Sequence, residues 1–128
     1  MVKKMRPPAS EEPLAPPPQI TRVDVLIRAG EAISDAIDCT QSNVLNIAFD
    51  EWEPIAQITF QISADGVNFY NLFWENGQEI VMTVWPNTAY VLTGAWRESV
   101  RWLKIRSGVH NGPVPQTADR IIKLGTVA

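Results

Sequence analysis

From Thr21 onward the chain alternates apolar and polar side chains with a period of two, in short runs separated by turn residues. That period marks strands with one buried face, because successive side chains of an extended backbone point to opposite sides. Val23, Val25 and Ile27 form the first run, interleaved with Arg22, Asp24 and Arg28, and Ala29-Gly30 ends it. Residues 33–39 predict a second strand with Ile33, Ile37 and Cys39 on one side, against the poor fit of Asp35 and Asp38 to strand interiors. Residues 44–49 predict a third, with Leu45, Ile47 and Phe49 in phase.

The strongest pattern lies in residues 57–74, QITFQISADGVNFYNLFW. Ile58, Phe60 and Ile62 alternate with Gln57, Thr59, Gln61 and Ser63, an Asp65-Gly66 turn follows, and Tyr70, Leu72 and Trp74 supply a second run. The stretch predicts a β-hairpin in which Gly66 takes a positive φ at little cost. Asn76-Gly77 is a second turn signal and leads into residues 78–85, where Ile80, Met82 and Val84 share one face and Val81 and Trp85 the other. A strand apolar on both faces is either central under a covering layer or buried against another chain. Residues 88–92 predict a short strand, and residues 93–98 a loop or single helical turn. Residues 100–106 predict a strand with Leu103 and Ile105 inward and Trp102, Lys104 and Arg106 on the other side. A breaker-rich loop at 107–116 precedes a last strand at 117–127 bearing Ile122 and Leu124. About eight or nine short strands, no helix of ordinary length and no internal repeat make an antiparallel β-sandwich of jelly-roll type the economical architecture for residues 21–128.

Residues 1–20 break this pattern. Pro7, Pro8, Pro13, Pro16, Pro17 and Pro18 are six of the ten prolines in the chain. Each lacks a backbone donor and blocks helix continuation, so an extended arm is expected, reaching up to roughly 60 Å at about 3.1 Å per residue. It reads either as a plain leader or as an arm that drapes over a partner. In the second reading Lys3, Lys4 and Arg6 meet an acidic surface, and Leu14 and Ile20 serve as apolar anchors.

Composition narrows the function classes. The formal charge of −3 and the pI near 5.1 argue against a general nucleic-acid binder, which needs a surplus of Lys and Arg. With Cys39 as the lone cysteine there is no intrachain disulfide and no Cys-rich metal site. The start carries no apolar core of signal-peptide length, and no stretch approaches the ~18 apolar residues of a membrane span, so a soluble chain is expected.

Chemistry-bearing residues are sparse. Asp50, Glu51 and Glu53 invite a calcium or glycosidase reading, but adjacent loop carboxylates are usually solvated and acid/base work needs two groups converging on one pocket. Trp52 is expected to pack over the end of the sheet. His110, the single histidine, lies in a Gly/Pro-rich loop, and nothing in the sequence brings it to Cys39 as a base to a nucleophile. GxSxG, Walker A and GxGxxG patterns do not occur, and the expectation is a chain without catalytic activity or cofactor. The aromatic residues say more. Phe69 and Phe73 fall on the strand face opposite Tyr70, Leu72 and Trp74, so one set must find cover outside the core or lie near a surface. With Trp85, they are the candidate contacts to a protein partner or a sugar.

The string ITFQISADGVNFYNL, followed about thirty residues later by VRWLKIRSG, resembles the strand, S-x-DG turn and aromatic strand of discoidin-like jelly-roll modules. With the ending Ala118-Asp119-Arg120-Ile121-Ile122, it also resembles small β-sandwich structural proteins of tailed bacteriophages. The likeness covers roughly residues 21–127, excludes the arm, and carries over no loop residues as a ligand site. It implies a non-enzymatic virion component, assembled in the host cytoplasm, that decorates or cements the outer head surface through its arm and sandwich face. The implied partner is the major capsid protein or another virion protein, with homo-oligomers on the particle and no nucleic acid or membrane. A neck, collar or tail-fibre attachment protein and a glycan-binding module are the alternatives.

Overall fold

The alternating runs become strands wherever a neighbour can complete their hydrogen bonds. The computed structural model describes residues 19–128, and these form two antiparallel sheets. In the first, Thr21–Ile27 (β1) pairs with Arg120–Val127 (β9), which pairs with Asn43–Phe49 (β3) and then Thr88–Val91 (β6). In the second, the order is Ile37–Asp38 (β2), Trp102–Val109 (β7), Ile58–Ser63 (β4) and Tyr70–Asn71 (β5), and Gly112–Pro113 (β8) pairs with β7. The inward residues of both sheets form one cluster: Val25, Ile27, Ile47 and Ile122 from the first, Ile58, Phe60, Leu103 and Ile105 from the second. Removing that apolar surface from water is the main force holding the layers together. Residues 95–98 form the single turn of 3-10 helix anticipated there.

Several boundaries shift for identifiable reasons. In β3 the register slips between Val44 and Asn46, so Leu45 is an extra residue; Val44 is buried in its place and Leu45 is half-buried. The second predicted strand shrinks to Ile37–Asp38, with Ile33 held only by an isolated bridge to Arg106. Residues 78–85 keep their alternation, with Ile80 and Val84 buried and Val81 and Trp85 exposed, but form no strand. The segment crosses from the second sheet to the first, touching Ile58 through Met82, and so has no continuous ladder to join. β7 runs on through Ser107, Gly108 and Val109 into the predicted loop. There Gly108, at φ 92, lets the backbone of β8 approach more closely than a Cβ would allow. Trp52 follows just past the end of β3. It is 1% exposed in the core, edge-on to Phe49 at 5.0 Å, and donates Nε1–H to Ala56 O at 3.0 Å.

The β4–β5 connection shows why the string SADG folds as it does. Ser63 Oγ accepts the Gly66 amide at 2.9 Å, while Asp65 Oδ1 accepts the amides of Val67 and Asn68 at 2.8 and 2.9 Å. These side chains replace the ladder bonds that the turn gives up. The two amides, with the Ser63 hydroxyl and the Asn68 side chain, hold the Asp65 carboxyl well below its ordinary range. The loop is longer than a two-residue hairpin turn, with pairing resuming only at Ile62↔Tyr70. Gly66 sits at φ 78, and a Cβ there would lie 3.0 Å from the Trp102 ring.

Gly66→Ala should therefore cost more than Gly77→Ala in urea unfolding. Both incur the left-handed strain of roughly 1–2 kcal/mol, but Gly77, at φ 86, has open space around it. Asp65→Asn should lower stability at neutral pH. Because the native carboxyl is depressed, its contribution is complete above the unfolded value of about 3.9 and fades as pH falls through the native one. The gap between Asp65→Asn and the parent should thus narrow on acidification below about pH 4.

Candidate interface

The exposed aromatics are gathered on one stretch of chain. Tyr70, Phe73, Trp74 and Trp85, with Val81 and Val91, account for six of the ten large apolar residues exposed among the described residues. They fall between β5 and the end of β6, the strands at one edge of the two sheets. Trp85 is 57% exposed, Trp74 46% and Val91 79%. Trp74, Val81, Val91 and Trp96 wall a groove of about 280 Å³, with the buried Ile80 and Leu92 at its base. Apolar surface concentrated on one edge of a small protein marks a contact site.

A polar cluster behind this edge holds it in place. Residues 72–80 turn back at Asn76-Gly77, with Trp74 N–H donating to Gln78 O at 2.7 Å and Gly77 N–H to Trp74 O at 2.9 Å. Glu79, at the return, is 8% exposed in its side chain and faces Arg106, equally buried, with Nη1 3.4 Å from Oε2. The carboxylate also accepts the His110 amide at 3.2 Å, and His110 Nδ1 lies 3.0 Å from Oε1. Arg106 also donates to Thr59 Oγ1 at 3.3 Å and to Asn71 Oδ1. Burial pushes the Arg106 guanidinium down, and the Glu79 charge partly offsets this. Phe73 packs edge-on against His110 at 5.1 Å. One carboxylate thereby ties the aromatic hairpin to β7 and to the turn after it.

The residues singled out from sequence divide into four groups. Phe73 and Trp85 lie on the aromatic edge, at 39% and 57% exposure. Phe69 does not: it is half-buried beneath Lys104, whose Nζ stands 4.4 Å from the ring centroid, a cation–π contact within the molecule. Ile20 is exposed just before β1, at the opposite edge of the first sheet. Lys3, Lys4, Arg6 and Leu14 lie outside the described residues. Arg106, expected on the outer face of its strand, is buried instead, because Glu79 and Asn71 arrive from another segment to receive it. Thr59 is likewise fully buried, donating to Gly108 O at 2.7 Å.

Cys39 and His110 are not brought together. Cys39 is tied to Arg101 O ahead of β7 and His110 follows the end of that strand, roughly 30 Å apart at about 3.3 Å per residue. Burial, with Asp38 nearby, pushes the Cys39 thiol up to about 11. Asp50 and Glu51 turn to separate cations, Lys123 at 2.9 Å and Arg120 at 3.8 Å. Among the described residues no group of three or more His, Cys, Asp or Glu stands where it could hold a metal ion. The Ala118-Asp119-Arg120 string proves structural. Asp119 accepts the Ala29 amide at 2.8 Å, while Arg120 reaches Gln116 at 3.0 Å and Glu53 O at 2.9 Å, pinning three loops together.

Glu79→Ala leaves Arg106 buried without its counter-charge and should cost about 3 kcal/mol in urea unfolding. It should also red-shift Trp fluorescence as the hairpin loosens. Cys39, by contrast, should resist alkylation at pH 8 in the folded protein and react only after unfolding, as followed by mass spectrometry. Comparison of the chain with protein-family models, curated proteins and solved structures gives no match.

Proposed function

We propose that this chain is a non-enzymatic structural component of a virus particle, a jelly-roll sandwich that decorates the outer surface of a tailed-phage head. The observation that carries this reading is the line of exposed aromatics along residues 70–91, on a two-sheet body preceded by a proline-rich segment. Aromatic side chains held by a firm scaffold lose little entropy on contact and form the desolvated centre of an interface. The proline-rich segment with Lys3, Lys4 and Arg6 would add many small contacts to an acidic partner surface. The major capsid protein, repeated over the head, is the partner with this geometry, and its symmetry would cluster copies of the chain on the particle. The likeness of the S-x-DG and Ala-Asp-Arg strings to small phage β-sandwich proteins supports the same assignment.

Tyr70, Trp74 and Trp85 are also residues that stack on sugars, which makes a glycan-binding module the second reading. Quantitative mass spectrometry of purified particles should find the chain at a copy number on the order of hundreds, as icosahedral repetition of the site requires. A dozen or so copies would move it to the neck or tail, and its absence from particles would end the virion reading. The full chain carrying Trp74→Ala and Trp85→Ala should bind particles at least about thirtyfold more weakly, the effect of losing roughly 2 kcal/mol of anchor contact. Undiminished binding, or saturable binding to glycans on an array instead, would contradict the proposal.

A further inference from the structure

We propose that two copies of this chain pair β1 with β1 across a two-fold axis at Val23, joining their first sheets into one. The contact lies at the sheet edge away from the exposed aromatics and does not rest on the virion reading.

The sheets end in β1 and β6, and in β2 and β5. β6 has four residues and β2 and β5 two each, whereas β1 has seven in unbroken register with β9. A long, regular edge strand without proline or bulge is a template for another strand. The outward backbone groups of β1 follow from its neighbours. Thr126 Oγ1, on β9, donates to Thr21 O at 3.2 Å, while Leu26 O accepts the Asp35 amide at 3.2 Å on the side away from β9. Backbone groups alternate in direction along a strand. Arg22 and Asp24 therefore turn theirs outward, and Val23 and Val25 turn theirs to β9. Among the described residues no backbone partner meets Arg22 or Asp24 on the outer side. From Leu26 on, the edge is covered by the segment at Asp35, which also pairs with Arg28 at 2.8 Å. The open stretch is thus Thr21 to Val25, and its midpoint is Val23.

Charge selects the register. Two such edges can bond antiparallel only where outward residues stand opposite one another. Within the open stretch that leaves Arg22 facing Arg22, Asp24 facing Asp24, or Arg22 facing Asp24. The first two oppose like charges, which destabilises a cross-strand pair, whereas the third matches opposite charges. It sets the axis at Val23, so the Arg22–Asp24 pair occurs twice and each pair exchanges backbone bonds in both directions. Both side chains are exposed on one face, where Arg22 Nε already donates to Asp24 Oδ1 at 2.7 Å within the chain. Across the axis the four charges alternate in sign. On the other face Val23 meets its copy. Val23 is half-buried at the border of the core and flanks a trough of about 410 Å³ with Thr21 and Thr126. A second Val23 laid beside it extends the apolar cover over that border.

Sedimentation velocity of the full chain over a range of concentrations tests the pairing. The parent should pass from monomer to dimer as concentration rises. Asp24→Arg sets two arginines face to face at both pairs and should raise the dimer dissociation constant at least about tenfold. Adding Arg22→Asp reinstates opposite charges in the same register and should bring the dimer back. Val23→Cys gives an independent check, because the facing Cα atoms would stand about 4.5 Å apart, within disulfide range. Mild oxidation should link that variant into covalent dimers, with Cys39 buried and not competing. Thr21→Cys, about 14 Å along the strand from its copy, should stay unlinked. A parent monomeric up to about 1 mM, a dimer indifferent to Asp24→Arg or not recovered by the charge swap, or linkage at Thr21 as fast as at Val23 would overturn the proposal.

Discussion

A carboxylate withdrawn from water must be met by charge and by hydrogen-bond donors, and Glu79 meets that requirement in only one place. Arg106 and the amide of His110 receive it, Asn71 and Thr59 each accept a further bond from Arg106, and Phe73 packs edge-on against His110. The residues linked this way come from β4, β5, the 72–80 hairpin, β7 and the turn beyond it. The hairpin has almost no ladder of its own, so this polar cluster substitutes for strand pairing in fixing where Trp74 points. Shape at the aromatic edge thus depends on an ion pair inside the second sheet.

Ser107, next to Arg106 on β7, joins a second polar cluster that follows the same logic with different groups. Arg120 joins Gln116, Thr117 and the Glu53 carbonyl, and Gln116 in turn donates to Ser107 at 2.9 Å. Loops that contribute little apolar burial are held by buried polar contacts, while the shared core of the two sheets supplies the bulk of the stability. The result is a body whose loops are braced and whose aromatic margin faces outward. For a protein proposed to stay as a fixed part of a larger lattice, such bracing lowers the ordering cost of each contact.

How much of this was legible in the sequence depended on how local the cause was. The turn at Ser63-Ala64-Asp65-Gly66 could be read because its hydrogen bonds close within six residues. The alternation of Ile80, Met82 and Val84 with Val81 and Trp85 also told which side chains face inward, though it wrongly implied a strand, since period two describes facing and not pairing. The slip at Leu45 left no mark, because Val44, Leu45 and Ile47 are interchangeable as apolar residues. Arg106 was placed outward by phase. Its burial is decided by Glu79 and Asn71, 27 and 35 residues away, which no local pattern reports. Phe69 went the same way: the phase that sent it out of the core was right, and Lys104 on β7, two strands from β5, then covered it.

The central claim is that residues 70–91 are the surface by which the protein meets its partner. Hydrogen–deuterium exchange of the full chain, free and bound to purified particles, tests it directly. Slowed exchange concentrated at residues 70–91 and at the groove residues around Thr93 is the expected result. Protection confined to the outer face of β1 and β9, with the aromatic edge exchanging as in the free protein, would contradict the account.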